Sequence, residues 1–516
     1  MLPMLSISEM LSRTARDRPD KEAIVDRGLR VSFSELAERS TRIARFLRSR
    51  GIEKGMRVGV YSSKCAAEAD VIFALAKAGC IMVHINPSFR DAKLQHVIEE
   101  TEPSAFFFHP GKSAAVERAQ QRGILPPLLI CLGKTADCSE PSTAVELEAA
   151  LEQGHGSAWA DTPGSSEGEE PAAILYTSGT TASSKGIIVT HRILSESTLV
   201  SAHVLRNAAS DRLISVTPFS FDGALSQLFT ATLAGATLVL QGSHFPKDVV
   251  TTMVSEEITG FHAVPSFWRM MLDQYPSFAG CEFPHLRYLS LIGEVFPEAE
   301  LMRLKQILGK TDFYMMYGTT EAFRSTCLAP ADFARKPRSA GKPLPGVKIE
   351  IVDEEGHSCP TGRIGEIVHS GAFVSPGYWK RNGDATFRRD GVHTGDLGRL
   401  DEDGFLYFAG RKDAMIKRLG YQVYPEEIEA CLETIDGVSM AAVVCAPDRG
   451  SGPRIHAFLV PAVSSGLSPD VVMKRCRASL PHYMIPDELT FRFALPTTAT
   501  GKVDRSRLLA AGEVRP

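Results

Sequence analysis

No two cysteines of the 516-residue chain stand at C-x-x-C spacing, and none joins histidine in a zinc-like cluster. The ten thiols, from Cys65 to Cys476, are scattered. Zinc modules and disulfide scaffolds are therefore excluded, and reduced thiols in a cytoplasmic protein are expected. No apolar run approaches the roughly 20 residues of a membrane-crossing helix, so no membrane span is expected. The N-terminal "MLPMLSISEMLSRTARDRPDK" lacks the apolar core of a signal peptide; Leu5, Met10 and Leu11 read instead as one face of a short helix. Charge of one sign is also lacking. Lys and Arg total 57 against 61 Asp and Glu, a net charge of −4. That balance gives no sign of a partner held mainly by charge, such as nucleic acid or an anionic membrane. No repeat and no long low-complexity tract is present. What remains is ordinary for a globular enzyme: 44% hydrophobic and 23% charged residues, in a chain long enough for more than one domain.

Residues 1–160 alternate helical patterns with short apolar strands, as in "TRIARFLRSRGIEKGMRVGVYSS" and "DVIFALAKAGCIMVHIN". Such alternation predicts an α/β sheet layer. The stretch 152–171 is rich in Gly, Ser, Pro and acid and predicts a surface loop. Residues 172–330 return to α/β alternation. From about 340 to 410, short strands divided by glycine turns predict a small β unit. After Arg411 helices and strands alternate again, in "YPEEIEACLETI", "VSMAAVVCAP", "RIHAFLVPA" and "SPDVVMKRCRASL". A domain boundary near 411 is expected.

"AAILYTSGTTASSKG" places an apolar strand before a turn of hydroxyl residues. Hydroxyls and backbone N–H groups near Gly179 make a donor surface suited to phosphate oxygens, and Lys185 adds a point charge. It is not a Walker loop, because Gly186 follows the lysine instead of preceding it. Standing alone, the segment fits a phosphate grip and a solvated turn equally. Three distant segments add weight. "MYGTTEAF" offers Thr320 and Glu321, hard oxygen donors suited to Mg²⁺. "HTGDLGRLDEDGFLYFAGRKD" presents Asp396 in a glycine-rich turn and, further on, Arg411, a pair suited to a ribose diol or a phosphate. "LPTTATGKVDR" brings Lys502 near the end.

Seven segments in order, "YTSGTT…SKG", "LSLIGE", "YGTTE", "GEIVHSGAFVSPGYW", "DGVHTGDLG", "GRKDAMIKRLGYQVYPEEIE" and "PTTATGKVDR", resemble the AMP-forming adenylating superfamily. That superfamily includes acyl-CoA synthetases, peptide-synthetase adenylation domains and beetle luciferases. The resemblance implies an α/β N-terminal domain, residues 1–410, of two helix-flanked sheets plus a small β-barrel-like unit. It binds ATP and the acid. A mobile α+β domain, 411–516, follows. A carboxylate would attack the α-phosphate of ATP, and a thiol would then take the acyl group. Thr177, Ser178, Gly179, Thr180, Thr181 and Lys185 would hold the β- and γ-phosphates, and Glu321 would hold Mg²⁺. Asp396 and Arg411 would hold the ribose. Gly293, Glu294, Tyr317, Gly318 and Thr319, followed by Thr320, would frame the adenine side. Lys502 would bridge carboxylate and α-phosphate, Asp413 would be the hinge, and the loop around Gly420 would face the site during thiol transfer.

The chain departs from the family in places. Its phosphate loop usually reads G-T-T-G-x-P-K-G; here Ala182 and Ser184 replace Gly and Pro, which implies a looser loop. Phe221-Asp222 resembles the Phe-Asp of amino-acid-activating members, where the Asp pairs with a substrate ammonium. Gly223, Ser226, His262, Ser290, Ile292, Met316, Phe323 and Arg324 would line the same pocket, although His262 also reads as a satisfied core histidine. Two readings compete. Either Asp222 binds a substrate amine, with Arg324 on a second substrate carboxylate or aside, or Asp222 and Arg324 pair and the acid is an ordinary acyl group. The first implies an amino acid, a β-amino acid or another small polar acid, as in stand-alone bacterial ligases of this superfamily. The acceptor would be the phosphopantetheine of a separate carrier protein, since no carrier follows the last motif, or CoA; Gln422, where some CoA enzymes have Arg, weighs against CoA. The altered loop leaves a non-catalytic nucleotide binder open, and adenylation could also end in amide formation or oxidation.

Overall fold

The fold is that of a computed structural model, which describes residues 5–138, 144–155, 168–176, 184–293, 296–381, 383–412, 416–418, 421–446, 454–462, 466–497, 503–505 and 507–508. The two large sheets do not follow the order of the chain. The first has seven strands, ordered Val145–Glu146, Leu129–Cys131, Ala105–Phe108, Arg57–Tyr61, Ile81–Ile85, Pro171–Tyr176 and Gly186–Thr190. All neighbours in it run parallel except the last pair, which is antiparallel. The hydroxyl-rich segment therefore joins two adjacent strands, and Tyr176 faces Gly186 across its base.

The second sheet has nine strands, with a parallel centre built from Asp312–Tyr317, Tyr288–Ile292, Gly260–Ala263, Arg212–Ser215, Thr237–Leu240 and Glu22–Asp26. The early strand Glu22–Asp26 thus leaves the 1–160 layer and pairs with Thr237–Leu240. The strands at 171–190 move the other way, into the first sheet. Composition cannot choose between two sheets that both want buried, β-branched strands; only long-range pairing does.

Helices Ala66–Ala78 and Asp222–Ala234 are buried almost all round, as expected of helices packed on every side. Phe73 and Phe229 join them edge to face at 5.9 Å. One apolar core runs from Val58 and Val60 of the first sheet through both helices to Leu213 and Leu238 of the second. At the N-terminus, Ser6 and Glu9 form a reciprocal cap on helix Ile7–Asp17, whose Met10 and Leu11 are buried.

Residues 347–411 form the expected β unit, a five-stranded antiparallel sheet. Beyond it, helices Pro425–Glu433 and Pro469–Ser479 pack with a three-stranded sheet, Val438–Ala446, Arg454–Pro461 and Glu488–Phe491. The α+β texture read from the sequence is observed there. Thr497 and Val503 bridge, and Arg505 grips both carboxylate oxygens of Glu429 at 2.8 Å, so the chain on either side of the "TGK" motif is anchored. No described helix is long and apolar enough to cross a membrane.

Candidate active site

Neighbouring strands in register bring several of the expected pocket residues onto one face of the second sheet. His262 pairs in register with Ser290, and Ile292 with Met316, so these side chains share one face of the sheet. His262 Nδ1 lies 2.6 Å from Ser290 Oγ. Helix Asp222–Ala234 begins against this row. A β-carbon on Gly223 would fall 2.6 Å from His262 Nε2, so glycine alone allows the helix start to lie on the ring. Phe221 caps the helix and Ser226 is buried one turn along. Asp222 Oδ1 accepts from the Gly223 N–H at 2.7 Å, and an acid in the first turn suits the helix dipole.

Arg324 closes the row. Just before it, Phe323 is buried with φ +48°, a left-handed conformation that a bulky residue adopts only when its surroundings force it. The Arg324 N–H turns back to Ala322 O at 2.5 Å, and a β-carbon on Gly318 would come within 3.1 Å of Arg324 Cα. The Arg324 side chain is 5% exposed. Its Nη1 donates to Met316 Sδ at 3.7 Å, and its Nε has no hydrogen-bond partner among the described residues. Burial lowers the pKa of Arg324, and the field of Asp222 opposes that shift. Burial first, then Arg324, pushes His262 down to about 3, so its ring is neutral. His262 is thus a satisfied buried histidine and also part of the sheet face. Of the residues expected to line the pocket, His262, Ser290, Ile292 and Met316 share this face, Gly223 abuts His262, and Arg324 reaches Met316.

A second corner forms across the β unit. Asp396 and Arg411 are register partners on Gly391–Leu400 and Leu406–Arg411. Arg411 Nη1 donates to Asp396 Oδ1 at 2.7 Å, and the Tyr317 hydroxyl donates to Oδ2 at 2.8 Å. Asp396 therefore lies within a strand, just after left-handed Gly395 (φ +69°), and not in the tight turn suggested by its flanking glycines. Burial, then the charge of Asp396, holds the Tyr317 hydroxyl far above its usual pKa, so it stays a donor. Gly293, with φ +97°, ends the strand Tyr288–Ile292. Thr319 Oγ1 is buried without a hydrogen-bond partner among the described residues.

The third corner was only partly legible. Lys185 Nζ donates to Asp384 Oδ2 at 2.8 Å and sits 4.5 Å over the Tyr378 ring. The Tyr378 hydroxyl donates to Glu321 Oε1 at 2.9 Å. Burial would raise the pKa of Asp384, but hydrogen bonds from Lys185 and Thr386 outweigh it and leave the carboxyl below its usual value. Segment 377–379 is laced to the strand Gly186–Thr190: Trp379 N donates to Gly186 O at 2.7 Å and Ile188 N to Gly377 O at 3.0 Å. Ser184 is buried, and its carbonyl accepts from His96 Nε2 at 3.0 Å. Asp384, Tyr378 and His96 were missed in the sequence. Tyr378 lies in the quoted "SPGYW"; Asp384, 199 residues from Lys185, carried no signal. Thr177, Ser178, Gly179, Thr180, Thr181, Ala182, Glu294, Asp413, Gly420 and Lys502 lie outside the described residues.

One group of side chains is suited to an acid, one to a diol and one to anions, a set that a nucleotide-using α/β enzyme needs. Residues 11–379 match the AMP-binding enzyme family, and residues 427–502 match the AMP-binding enzyme C-terminal domain. The chain belongs to the AMP-binding enzymes, which are adenylate-forming acid–thiol ligases. It is 30% identical to the L-proline--[L-prolyl-carrier protein] ligase of Streptomyces coelicolor, over 94% of this chain and 93% of that one. It is 27% identical to tyrocidine synthase 3 of Brevibacillus parabrevis over 98% of this chain, but spans only 8% of that protein's length. The structure of ATP-bound MatB from Rhodopseudomonas palustris superposes with a TM-score of 0.88 at 26% identity, over 99% of both chains.

Proposed function

We propose that the enzyme activates an amino acid with ATP and passes it to the phosphopantetheine thiol of a carrier protein. The observation that carries this reading is Asp222. It is a carboxylate in the first turn of a buried helix, and the next residue, Gly223, abuts the neutral His262, a position suited to meeting a substrate ammonium. The similarity to a proline–carrier-protein ligase supports an amino acid and a carrier.

In the first step a substrate carboxylate oxygen attacks the α-phosphorus of ATP. The bond to the bridging oxygen breaks, and pyrophosphate leaves with its electron pair. Lys185 and the loop Thr177–Thr181 hold the β- and γ-phosphates. Asp396 and Arg411 hold the ribose, and Gly293, Glu294 and Tyr317–Thr319 frame the adenine. Mg²⁺ fits an oxygen donor such as Glu321 and, when bound, would neutralise phosphate charge. Lys502 brings the two anions together. In the second step residues 411–516 reorient about Asp413, and a thiolate attacks the acyl carbon and expels AMP.

ATP–pyrophosphate exchange with α-amino, β-amino, aryl and fatty acids tests the reading. An amino acid should lead, and Asp222→Ala should lose it; full retention in that variant sinks the ammonium role. Lys502→Ala should lower exchange by about 10²–10³-fold with ATP affinity kept. Mass spectrometry after reaction should show acylated carrier; loading of CoA alone would refute the carrier assignment.

A further inference from the structure

Resting on the roles given above to Lys185 and Glu321, we infer that Tyr378 is a positioning residue that holds these two groups in fixed relation, so that the triphosphate and its Mg²⁺ are received together.

The two groups come from different sheets. Lys185 precedes Gly186–Thr190, an outer strand of the seven-stranded sheet, and Glu321 follows Asp312–Tyr317 of the nine-stranded one. Both side chains meet on Tyr378. Lys185 Nζ lies 4.5 Å over its ring, and its hydroxyl donates to Glu321 Oε1 at 2.9 Å. A tyrosine ring has a negative face for a cation and a hydroxyl for an anion, so one side chain can address both charges. The hydroxyl engages one carboxylate oxygen, and a carboxylate has two. Glu321 can therefore be oriented by Tyr378 and still offer oxygen to a metal, as ligating carboxylates commonly are.

The backbone keeps Tyr378 in that place. Ile187 and Tyr378 form a bridge, Trp379 N donates to Gly186 O at 2.7 Å, and Ile188 N donates to Gly377 O at 3.0 Å. Ser375 Oγ donates to Ile188 O at 2.6 Å, while Ser375 N donates to Glu321 O at 2.9 Å. Segment 375–379 thus binds the main chain on both sides, and Tyr378 binds the side chains. Phe387 meets the ring edge to face at 5.0 Å, which fixes its tilt. Asp384 gives Lys185 a second anchor at 2.8 Å and is itself held by Thr386 N at 3.0 Å. A tyrosine serving only the packing of the β unit would account for the contact with Phe387. It would not account for a lysine on its face and a carboxylate on its hydroxyl. Lysine is a point charge on a flexible stem, and ordering it before ATP arrives removes part of the entropy that binding would otherwise cost.

The test is calorimetric ATP binding by the full-length enzyme, with saturating Mg²⁺ and in EDTA, without acid so that no adenylate forms. Tyr378→Phe keeps the ring under Lys185 and drops the bond to Glu321. It should cut the gain in ATP affinity that Mg²⁺ gives by about tenfold, the usual cost of losing a group that orients a metal ligand, and leave affinity in EDTA within about twofold of wild type. Tyr378→Leu also removes the ring, and affinity in EDTA should then fall about two- to fivefold. A wild-type Mg²⁺ gain in Tyr378→Phe, or wild-type affinity in EDTA for Tyr378→Leu, overturns the inference. Glu321→Gln separates it from the reading beneath. If that variant loses the Mg²⁺ gain and Tyr378→Phe does not, the metal role of Glu321 stands without the inference; if neither loses it, both fall. Should the Tyr378 variants not fold, amide hydrogen exchange of the wild type decides. Residues 375–379 should exchange more slowly with ATP and Mg²⁺ than with ATP in EDTA, and equal exchange overturns the inference.

Discussion

Gly223→Ala should separate acid binding from nucleotide binding. The added methyl would sit 2.6 Å from His262 Nε2, roughly 1 Å inside ordinary contact. No positive φ is involved at Gly223, so the backbone accepts alanine, and a helix start gains about 0.5–1 kcal/mol from it. Against that stands overpacking of about 1–3 kcal/mol. His262 can yield only by giving up its 2.6 Å bond to Ser290, worth about 0.5–1.5 kcal/mol. The clash wins, with a net loss of about 1–3 kcal/mol. Thermal unfolding should move down by a few degrees. If the same displacement disturbs the acid site, KM for the acid should rise about tenfold or more, at 1.4 kcal/mol per decade, with KM for ATP within twofold of wild type. Steady-state exchange with each substrate varied in turn reads both constants. Unchanged acid KM with unchanged melting would refute the placement of His262 against the helix start. An equal rise in both constants would show that the acid site does not act independently of the nucleotide corner.

Asp396→Asn keeps the shape of the second corner but removes the charge that Arg411 and Tyr317 both address, at 2.7 and 2.8 Å. Charge-assisted bonds of this kind contribute about 1.5–3 kcal/mol, so ATP affinity should fall about 10- to 100-fold by calorimetry with acid KM little changed; wild-type affinity would remove Asp396 from the nucleotide site. Stability should also weaken in mild acid. His262 and His84 are buried, with pKa values lowered to about 3 and about 4, against about 6.5 unfolded. Below pH 6.5 the unfolded chain takes up these protons and the folded chain does not, so stability falls as pH drops toward the folded values. Each contributes a slope of about 1.4 kcal/mol per pH unit, or about 2 kcal/mol by pH 5. In urea titrations at pH 7.5 and 5, His262→Gln should flatten that slope by one histidine's share; an unaltered slope would mean the ring is already charged in the fold.

Local pattern carried much of this molecule. The apolar run ending at Tyr176, the hydroxyls after it and the strand from Gly186 read as strand, turn, strand because each step obeys a short-range rule, and the two strands do pair. The α+β texture after Arg411 was legible for the same reason. The pocket residues were assigned only through ordered resemblance, since nothing local links Asp222, His262 and Arg324.

The sequence by itself determined residue chemistry and local periodicity: α/β layers, a hydroxyl-rich segment between two strands, and acids and cations of the kind a nucleotide-using ligase needs. The tertiary structure alone decided which of these meet. Pairing in register set His262 beside Ser290 and Asp396 beside Arg411, and brought Asp384 to Lys185 across 199 residues. It also exchanged strands between the two sheets, and it buried Arg324 against Met316. Those outcomes depend on free energies summed over distant contacts, and a linear pattern holds no record of which distant partner will win.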